Sequence, residues 1–368
     1  MQDSPFKKFH AEAGATLAER HGWSMPLHYG DAAAEHAQCR DSGAIFDVSH
    51  LGRLRLSGRH ARKLLETALT RKVTDMALRT CREAVVCSEA GAVIDVVSVY
   101  RYENEWLLVT NAAARAAVHA HLDALIEAGG MSVKLIDETE KTAMLSVQGP
   151  RVVEKIGEFS REIPTLKPWT FALKNLLILK MTVSRTGYTG GDGVEVLLGA
   201  HMASMAIKLL LKDKSEAAAI KPAGLLARES LRVEAGLPAY GAEFGSGIDA
   251  DPLSLGLAGA VDLKKHEDDS GVPVPRFVGQ DALEKIAADG PPKRLIRVQL
   301  DAAAGGTPET GAALSVNGQA AGALTSVAAL PGGETVALAW VDAETPNDVG
   351  LPVSAGGVAG RTLTPRLG

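Results

Sequence analysis

The sequence predicts an α+β fold closed by a separate small β domain. Two observations carry this. Strand and helix patterns mix along the chain without the strict βαβ alternation of a doubly wound sheet. From about residue 290 the composition changes, and Pro291-Pro292 opens a region of short strands with little helical periodicity. Within that region Asn317-Gly318 sits between two apolar segments, the strongest short-range hairpin signal. Pro331-Gly332-Gly333 marks another turn. The tail therefore reads as a barrel or a Greek-key sheet. At about 150 residues per domain, a chain of 368 residues has room for two or three domains.

The elements follow in order. Residues 31–42 form a helix with Asp31 as N-cap, ended by Gly43. Residues 44–58 read as a strand pair, because Leu51, Leu54 and Leu56 alternate with Arg53, Arg55 and Ser57. Residues 59–69 return to helical spacing. The β-branched runs 83–87 and 92–101 flank Ser88-Glu89-Ala90-Gly91 and read as a hairpin. A helix over 112–127 ends at Gly129-Gly130. Residues 141–147 and 174–185 read as strands, and 201–213 and 222–235 as helices. The segment Lys264–Pro275 is a polar, proline-containing surface excursion. No internal repeat is visible.

Composition narrows the function. Lys and Arg number 39 against 44 Asp and Glu, a net charge of −5, which argues against a nucleic-acid binder held by bulk positive charge. Three cysteines exclude a disulfide scaffold and a four-cysteine metal site, and fit a reducing compartment. The N-terminus has no apolar signal region, and no run approaches the roughly 18 apolar residues of a membrane helix. A cytoplasmic protein with no membrane partner is expected.

The glycine-rich run Gly187-Tyr188-Thr189-Gly190-Gly191-Asp192-Gly193 has strand-like flanks on both sides. A phosphate-cradling loop should instead leave a strand and enter a helix, so Rossmann and P-loop readings fail. The run is an elaborate hairpin turn, or it places Tyr188 and Glu195 at a cavity rim. His119 and His121 point about 200° apart on a helix and cannot share an ion, so no metal site is expected. Arg228 and Arg232 lie one turn apart with Glu229 and Glu234 nearby. They form either a salt-bridged face or an arginine clamp for a carboxylate. Cys81 and Cys87 read as small apolar packing groups.

Several segments in the right order resemble the glycine cleavage system T-protein, a tetrahydrofolate-dependent aminomethyltransferase. They are Gly22–Leu27, Phe46–Gly52, Gln148-Gly149-Pro150, Ser184–Glu195, Pro222–Leu225 through Arg228, Arg232, Glu234 and Tyr240-Gly241, and Phe277–Leu283. The resemblance implies a three-subdomain cloverleaf. Two interleaved α+β subdomains, about 1–50 with 138–250 and 51–137, form a folate-binding region over 1–285. A β-barrel or Greek-key domain follows over 286–368. It further implies that Tyr100, Asn111, Tyr188, Glu195 and Arg228 bind tetrahydrofolate, and that a lipoyl carrier protein is the partner. A planar pterin calls for aromatic packing and a carboxylate for its N–H donors, and a positive group suits its glutamyl tail.

The resemblance breaks at two carboxylates. The family has Gly-Gly-x-x-Asp-Asp-Leu, and its second Asp lies close to the reactive folate nitrogens. Here the segment is Gly91-Ala92-Val93-Ile94-Asp95-Val96-Val97, with Val96 at the key position. The family's usual Tyr on the preceding strand is Glu83, and a further carboxylate is lost at Pro252-Leu253-Ser254. A two- or four-residue turn at 88–91 pairs positions that sum to 179, so Glu83 faces Val96 and shares a face with Ser98 and Tyr100. Glu83 is thus the expected catalytic carboxylate, moved across the hairpin, or else a solvated strand residue beside a dead site. Asp95 lies on the other face, among Val93, Val97 and Val99. Besides aminomethyl transfer, two alternatives fit the family: an O- or S-demethylase that uses tetrahydrofolate, and a non-catalytic folate-binding assembly or regulatory protein.

Overall fold

A computed structural model describes residues 1–368 except 159, 177–178, 214, 216, 266–270, 302–305 and 367–368. Its contacts divide into two units. The first comprises Met1–Arg53, Arg79–Cys81 and Asp137–Arg232; the second comprises Leu54–Leu78, Arg82–Ile136 and Val233–Gly368. No helix among the described residues is long and apolar enough to cross a membrane.

The first unit is built on a six-stranded sheet. Its order is Phe171–Leu176, Leu179–Ser184, Gly193–Gly199, Thr142–Gln148, Ala44–Asp47 and Lys221–Ala223. Ala44–Asp47 has four consecutive buried residues, as expected of a strand covered on both faces. It pairs antiparallel with Thr142–Gln148, with Leu145 opposite Asp47, and parallel with Lys221–Ala223, with Ala44 opposite Lys221. The helix Ala32–Asp41 precedes it. Asp31 caps that helix by accepting the Ala33 N–H at 2.8 Å, as its sequence position predicts.

In the second unit a five-stranded sheet has the order Cys81–Cys87, Val93–Arg101, Glu105–Thr110, Gly52–Ser57 and Lys134–Asp137. The helices Ala61–Ala68 and Arg115–Ala128 bury Leu64, Leu65, Val118 and Leu122 in one core with Leu54, Leu56, Val97 and Val99 from the sheet. The C-terminal strands close a six-stranded barrel over Lys293–Thr362 around Val298, Leu314, Leu324 and Val353. At its Asn317-Gly318 turn both residues have positive φ, 51° and 76°, and Val316 faces Gln319. Only such a primed turn matches the twist of the flanking strands.

Three expectations need correction. Residues 44–58 are not a strand pair: Ala44–Asp47 and Gly52–Ser57 belong to different sheets. Alternation reports which face is buried but says nothing about the partner. Residues 174–185 are not one strand but the antiparallel pair Phe171–Leu176 and Leu179–Ser184, and the link at 177–178 lies outside the described residues. The excursion after residue 263 is not all surface, although its centre, 266–270, lies outside the described residues. Lys265 is 2% exposed; its Nζ donates to Glu66 Oε2 at 3.0 Å and to the Leu69 carbonyl at 2.8 Å. The strand Glu105–Thr110 also has no counterpart in the sequence reading, because its short apolar run carries no diagnostic period.

Arg53 anchors the loop that follows Ala44–Asp47. It is fully buried. Its guanidinium donates to the carbonyls of Ser49 (2.9 Å), Leu51, Thr139 and Thr142 (3.2 Å), and to Thr142 Oγ1 (2.7 Å). A methionine here would keep the bulk but strand several buried carbonyls. Arg53→Met is expected to cost about 3–5 kcal/mol, the scale for removing one partner from a buried charged network. Urea unfolding should show a lower midpoint with an unchanged slope. A loss under about 1 kcal/mol would mean that water replaces the side chain.

Candidate functional site

The glycine-rich run is a loop between the strands Leu179–Ser184 and Gly193–Gly199, and its backbone is wrapped around one side chain. Gln148 is fully buried. Its Nε2 donates to the carbonyls of Thr186 (3.1 Å) and Val194 (3.3 Å), and its Oε1 accepts from Thr189 Oγ1 (3.2 Å). A Cβ at Gly187 would lie 2.0 Å from Gln148 Oε1, so only glycine admits this approach. Arg185 and Asp192 close the loop base with two hydrogen bonds of 3.0 and 2.7 Å.

This loop and the strand after it bring together three of the expected site residues. Glu195 Oε2 accepts from Thr186 Oγ1 at 2.6 Å, and Thr186 is in turn 2.8 Å from Ser184 Oγ. Burial pushes the Glu195 carboxyl above the usual range, against the pull of the Thr186 hydrogen bond and the Arg228 charge. Arg228, on the helix Leu225–Ala235, lies over the Tyr188 ring at 4.8 Å. Arg232 donates to Glu229 on the same helix at 3.0 Å, while Arg228 Nε is buried with no hydrogen-bond partner.

The same unit holds a polar chain that the sequence reading missed. Tyr29 Oη is 2.8 Å from His10 Nδ1, and His10 Nε2 is 2.9 Å from Asp47 Oδ2, which also accepts from Ser4 Oγ. Asp47 Oδ1 accepts the Ser49 N–H at 2.9 Å. Burial opposes ionisation of Asp47, but the bond and charge of His10, with Ser4 and Ser49, outweigh it and hold the carboxyl below its usual range. The next residue, His50, is 7% exposed, and its Nδ1 has no hydrogen-bond partner. The motif Phe46–Gly52 was visible in the sequence, but nothing in it marked His10 or Tyr29 as neighbours.

The other expected residues lie in the second unit. The hairpin turn there differs from expectation. Ser88 N–H donates to the Ala92 carbonyl at 2.9 Å and Gly91 N–H to the Ser88 carbonyl at 2.9 Å, with Gly91 at φ +80°. This is a three-residue loop, so Ser88 stands opposite Ala92 and the register is one residue off the expected one. A second irregularity follows. Val93 packs with Val85 and Cys87, whereas Val97 and Val99 pack in the opposite core with Ala84 and Val86. Equal parity on opposite faces requires a bulge between them, and Val96 N–H donating to Asp95 Oδ1 at 2.9 Å marks its place.

Glu83 therefore does not sit directly across from Val96. Its carboxylate is half-buried, 3.9 Å from Arg366 Nη1, and its carbonyl accepts from Arg71 at 3.5 Å. Tyr100 is 2% exposed. Asn111 grips Asp95: its N–H donates to Oδ2 at 2.9 Å and its Nδ2 to Oδ1 at 2.7 Å. Asp95 is fully buried, and burial pushes its carboxyl up to about 7 despite these donors. Cys87 is packed among apolar side chains, as expected. Among the described residues no group of three His, Cys, Asp or Glu could hold a metal ion.

Residues 6–265 match the GCVT N-terminal domain model. An aminomethyltransferase from Rubrobacter xylanophilus is 34% identical over 347 residues, covering 94% of this chain and 88% of that protein. One from Streptomyces coelicolor is 34% identical over 340 residues, covering 90% and 87%. The crystal structure of glycine cleavage system aminomethyltransferase T from Bartonella henselae superposes with a TM-score of 0.85 at 25% identity, covering 99% of this chain and 97% of that one.

Asp95 gives the site a pH signature. Its carboxyl is raised from 3.8 to about 7, so the fold favours the protonated form. The associated stability is complete below about pH 4 and is lost as pH rises through about 7. Between those limits wild type should lose on the order of a few kcal/mol relative to Asp95→Asn, which carries no titrating group there. Urea unfolding of both proteins across that range measures the difference. A difference that stays flat with pH would show that Asp95 ionises freely in the fold.

Proposed function

The chain belongs to the GCVT N-terminal domain family, shared with the aminomethyltransferases, and from that premise we propose that it is a tetrahydrofolate-dependent one-carbon transferase. The observation that carries the reading is the Tyr188–Arg228 stack with Glu195 close enough for the two charges to act on each other. These donors and acceptors suit a reduced folate. An aromatic face packs a planar heterocycle, a carboxylate accepts its N–H groups, and a guanidinium with an unused Nε takes an oxygen. Tetrahydrofolate, when bound, supplies the ring nitrogens that accept the one-carbon unit. Tyr100 and Asn111 complete the proposed binding set, Asn111 through its hold on Asp95. In this reading the protein works in the cytoplasm with a lipoyl carrier protein that presents the aminomethyl group.

Val96 is the specific reason to keep a second reading. Without a carboxylate at that position, aminomethyl transfer lacks its usual proton-handling group. A demethylase acting on a small O- or S-methyl donor, or a folate-binding protein with no chemistry, would tolerate the change. Glu83, whose carboxylate is half-buried, is the proposed catalytic replacement.

Calorimetric titration should detect tetrahydrofolate binding, and Glu195→Ala should weaken it roughly ten- to a hundred-fold, the equivalent of one charged hydrogen-bond partner. No binding of any reduced folate by wild type would end the reading. In an aminomethyl-transfer assay, Glu83→Gln should abolish whatever turnover is present, and Val96→Asp should raise it by about 100-fold or more. Wild-type turnover equal to that of an ordinary aminomethyltransferase would show that Val96 is no handicap. Methyl-folate in place of methylene-folate as product would favour the demethylase.

A further inference from the structure

His50 is held in place without using its own ring. The backbone around it is fixed by Val48 N–H to the Met144 carbonyl (3.0 Å), Ser49 N–H to Asp47 (2.9 Å) and Leu51 N–H to the Val48 carbonyl (3.1 Å). Arg53 also holds the Ser49 carbonyl at 2.9 Å. The imidazole adds no hydrogen bond through Nδ1, which is buried and unpartnered. Leaving a buried polar atom unmet costs about 1–3 kcal/mol, which an apolar side chain would avoid. Arg228 Nε in the same unit has the same defect. Both are donors that a ligand oxygen could meet, and the Arg228 charge acts on the imidazole.

We propose that His50 is a ligand-binding residue of this site, its Nδ1–H and the Arg228 Nε–H donating to a carbonyl or carboxylate oxygen of the bound folate. The assignment rests on the folate reading above and extends it by one residue. The ring's electrostatic setting agrees. Burial and then the Arg228 charge lower its affinity for a proton, helped by His21 and Arg53 and opposed only by Asp47. His50 is thus neutral near pH 7 and can donate from one nitrogen without placing a second cation beside Arg228.

The test is calorimetric titration of wild type, His50→Leu and His50→Asn with tetrahydrofolate and with 6-methyltetrahydropterin, which has the ring carbonyl but no glutamyl carboxylate. His50→Leu should bind tetrahydrofolate roughly 3- to 10-fold more weakly. His50→Asn, whose side-chain amide can stand in for Nδ1–H, should recover most of the loss. Weakening toward both ligands assigns the contact to the pterin carbonyl, and weakening toward tetrahydrofolate alone assigns it to the tail. A reading that needs no variant is the ¹⁵N resonance of His50 Nδ1 in wild type, which should shift on saturation with tetrahydrofolate. An unmoved resonance, or His50→Leu binding as wild type does, overturns the role of His50 and leaves the folate reading intact. Failure of wild type to bind tetrahydrofolate overturns both.

Discussion

The first unit depends on one pairing constraint: the short strand Ala44–Asp47 must find both of its neighbours far along the chain. Thr142–Gln148 supplies one side and Lys221–Ala223 the other. Each candidate feature in this unit is attached to one of these three strands. Asp47 ends the first of them and launches the loop that carries His50. Gln148 ends the second and serves as the post around which the glycine-rich loop is wound. Lys221–Ala223 leads directly into the helix of Arg228. The spacing of Tyr188, Glu195, Arg228 and His50 is therefore set by strand pairing together with the side chains of Gln148 and Arg53.

The polar interior is arranged in two styles. Asp47 and Gln148 are satisfied almost to capacity, and Arg53 gives donors to several main-chain carbonyl groups. Such groups specify a single arrangement of loops, because any slip would strand several partners at once. His50 Nδ1 and Arg228 Nε are the opposite case, buried and unmet. In the second unit Asp95 combines both styles: it holds three N–H donors yet sits where ionisation is disfavoured.

Much of the architecture was legible from local chemistry. Asp31 as a cap, the Asn317-Gly318 turn and the change of composition near residue 290 each name their own structure, and the α+β class with its terminal β domain follows. The ordered motifs also pointed to the right family. What failed was anything set by a distant partner or by a single extra residue. The alternation in 44–58 could not say that its two strands part into different sheets. The tetrad Ser88–Gly91 is compatible with two-, three- and four-residue loops, and Gly91 at positive φ selects the three-residue form. The bulge at Asp95 then breaks the parity on which the face assignment relied. Lys265, in a run of charges that read as solvated, is buried because Glu66, some 200 residues earlier, waits for it. His10 and Tyr29 carried no signal, since a buried hydrogen-bond chain leaves no periodic trace, and His50 stood in a visible motif with nothing to mark its role.

The placement of Ala44–Asp47 also has a consequence in time. Its parallel partner begins about 180 residues later, so at about 5–20 residues per second the ribosome needs roughly 10–35 s to deliver it. Through that interval a nascent chain displays a four-residue strand with three apolar side chains, Ala-Ile-Phe-Asp, with at least one edge unpaired. The unit cannot close on its emerging half, and the edge is open to chance pairing until the helix of Arg228 follows it out. In the cell, the half-made chain is the form of this protein that most needs protection.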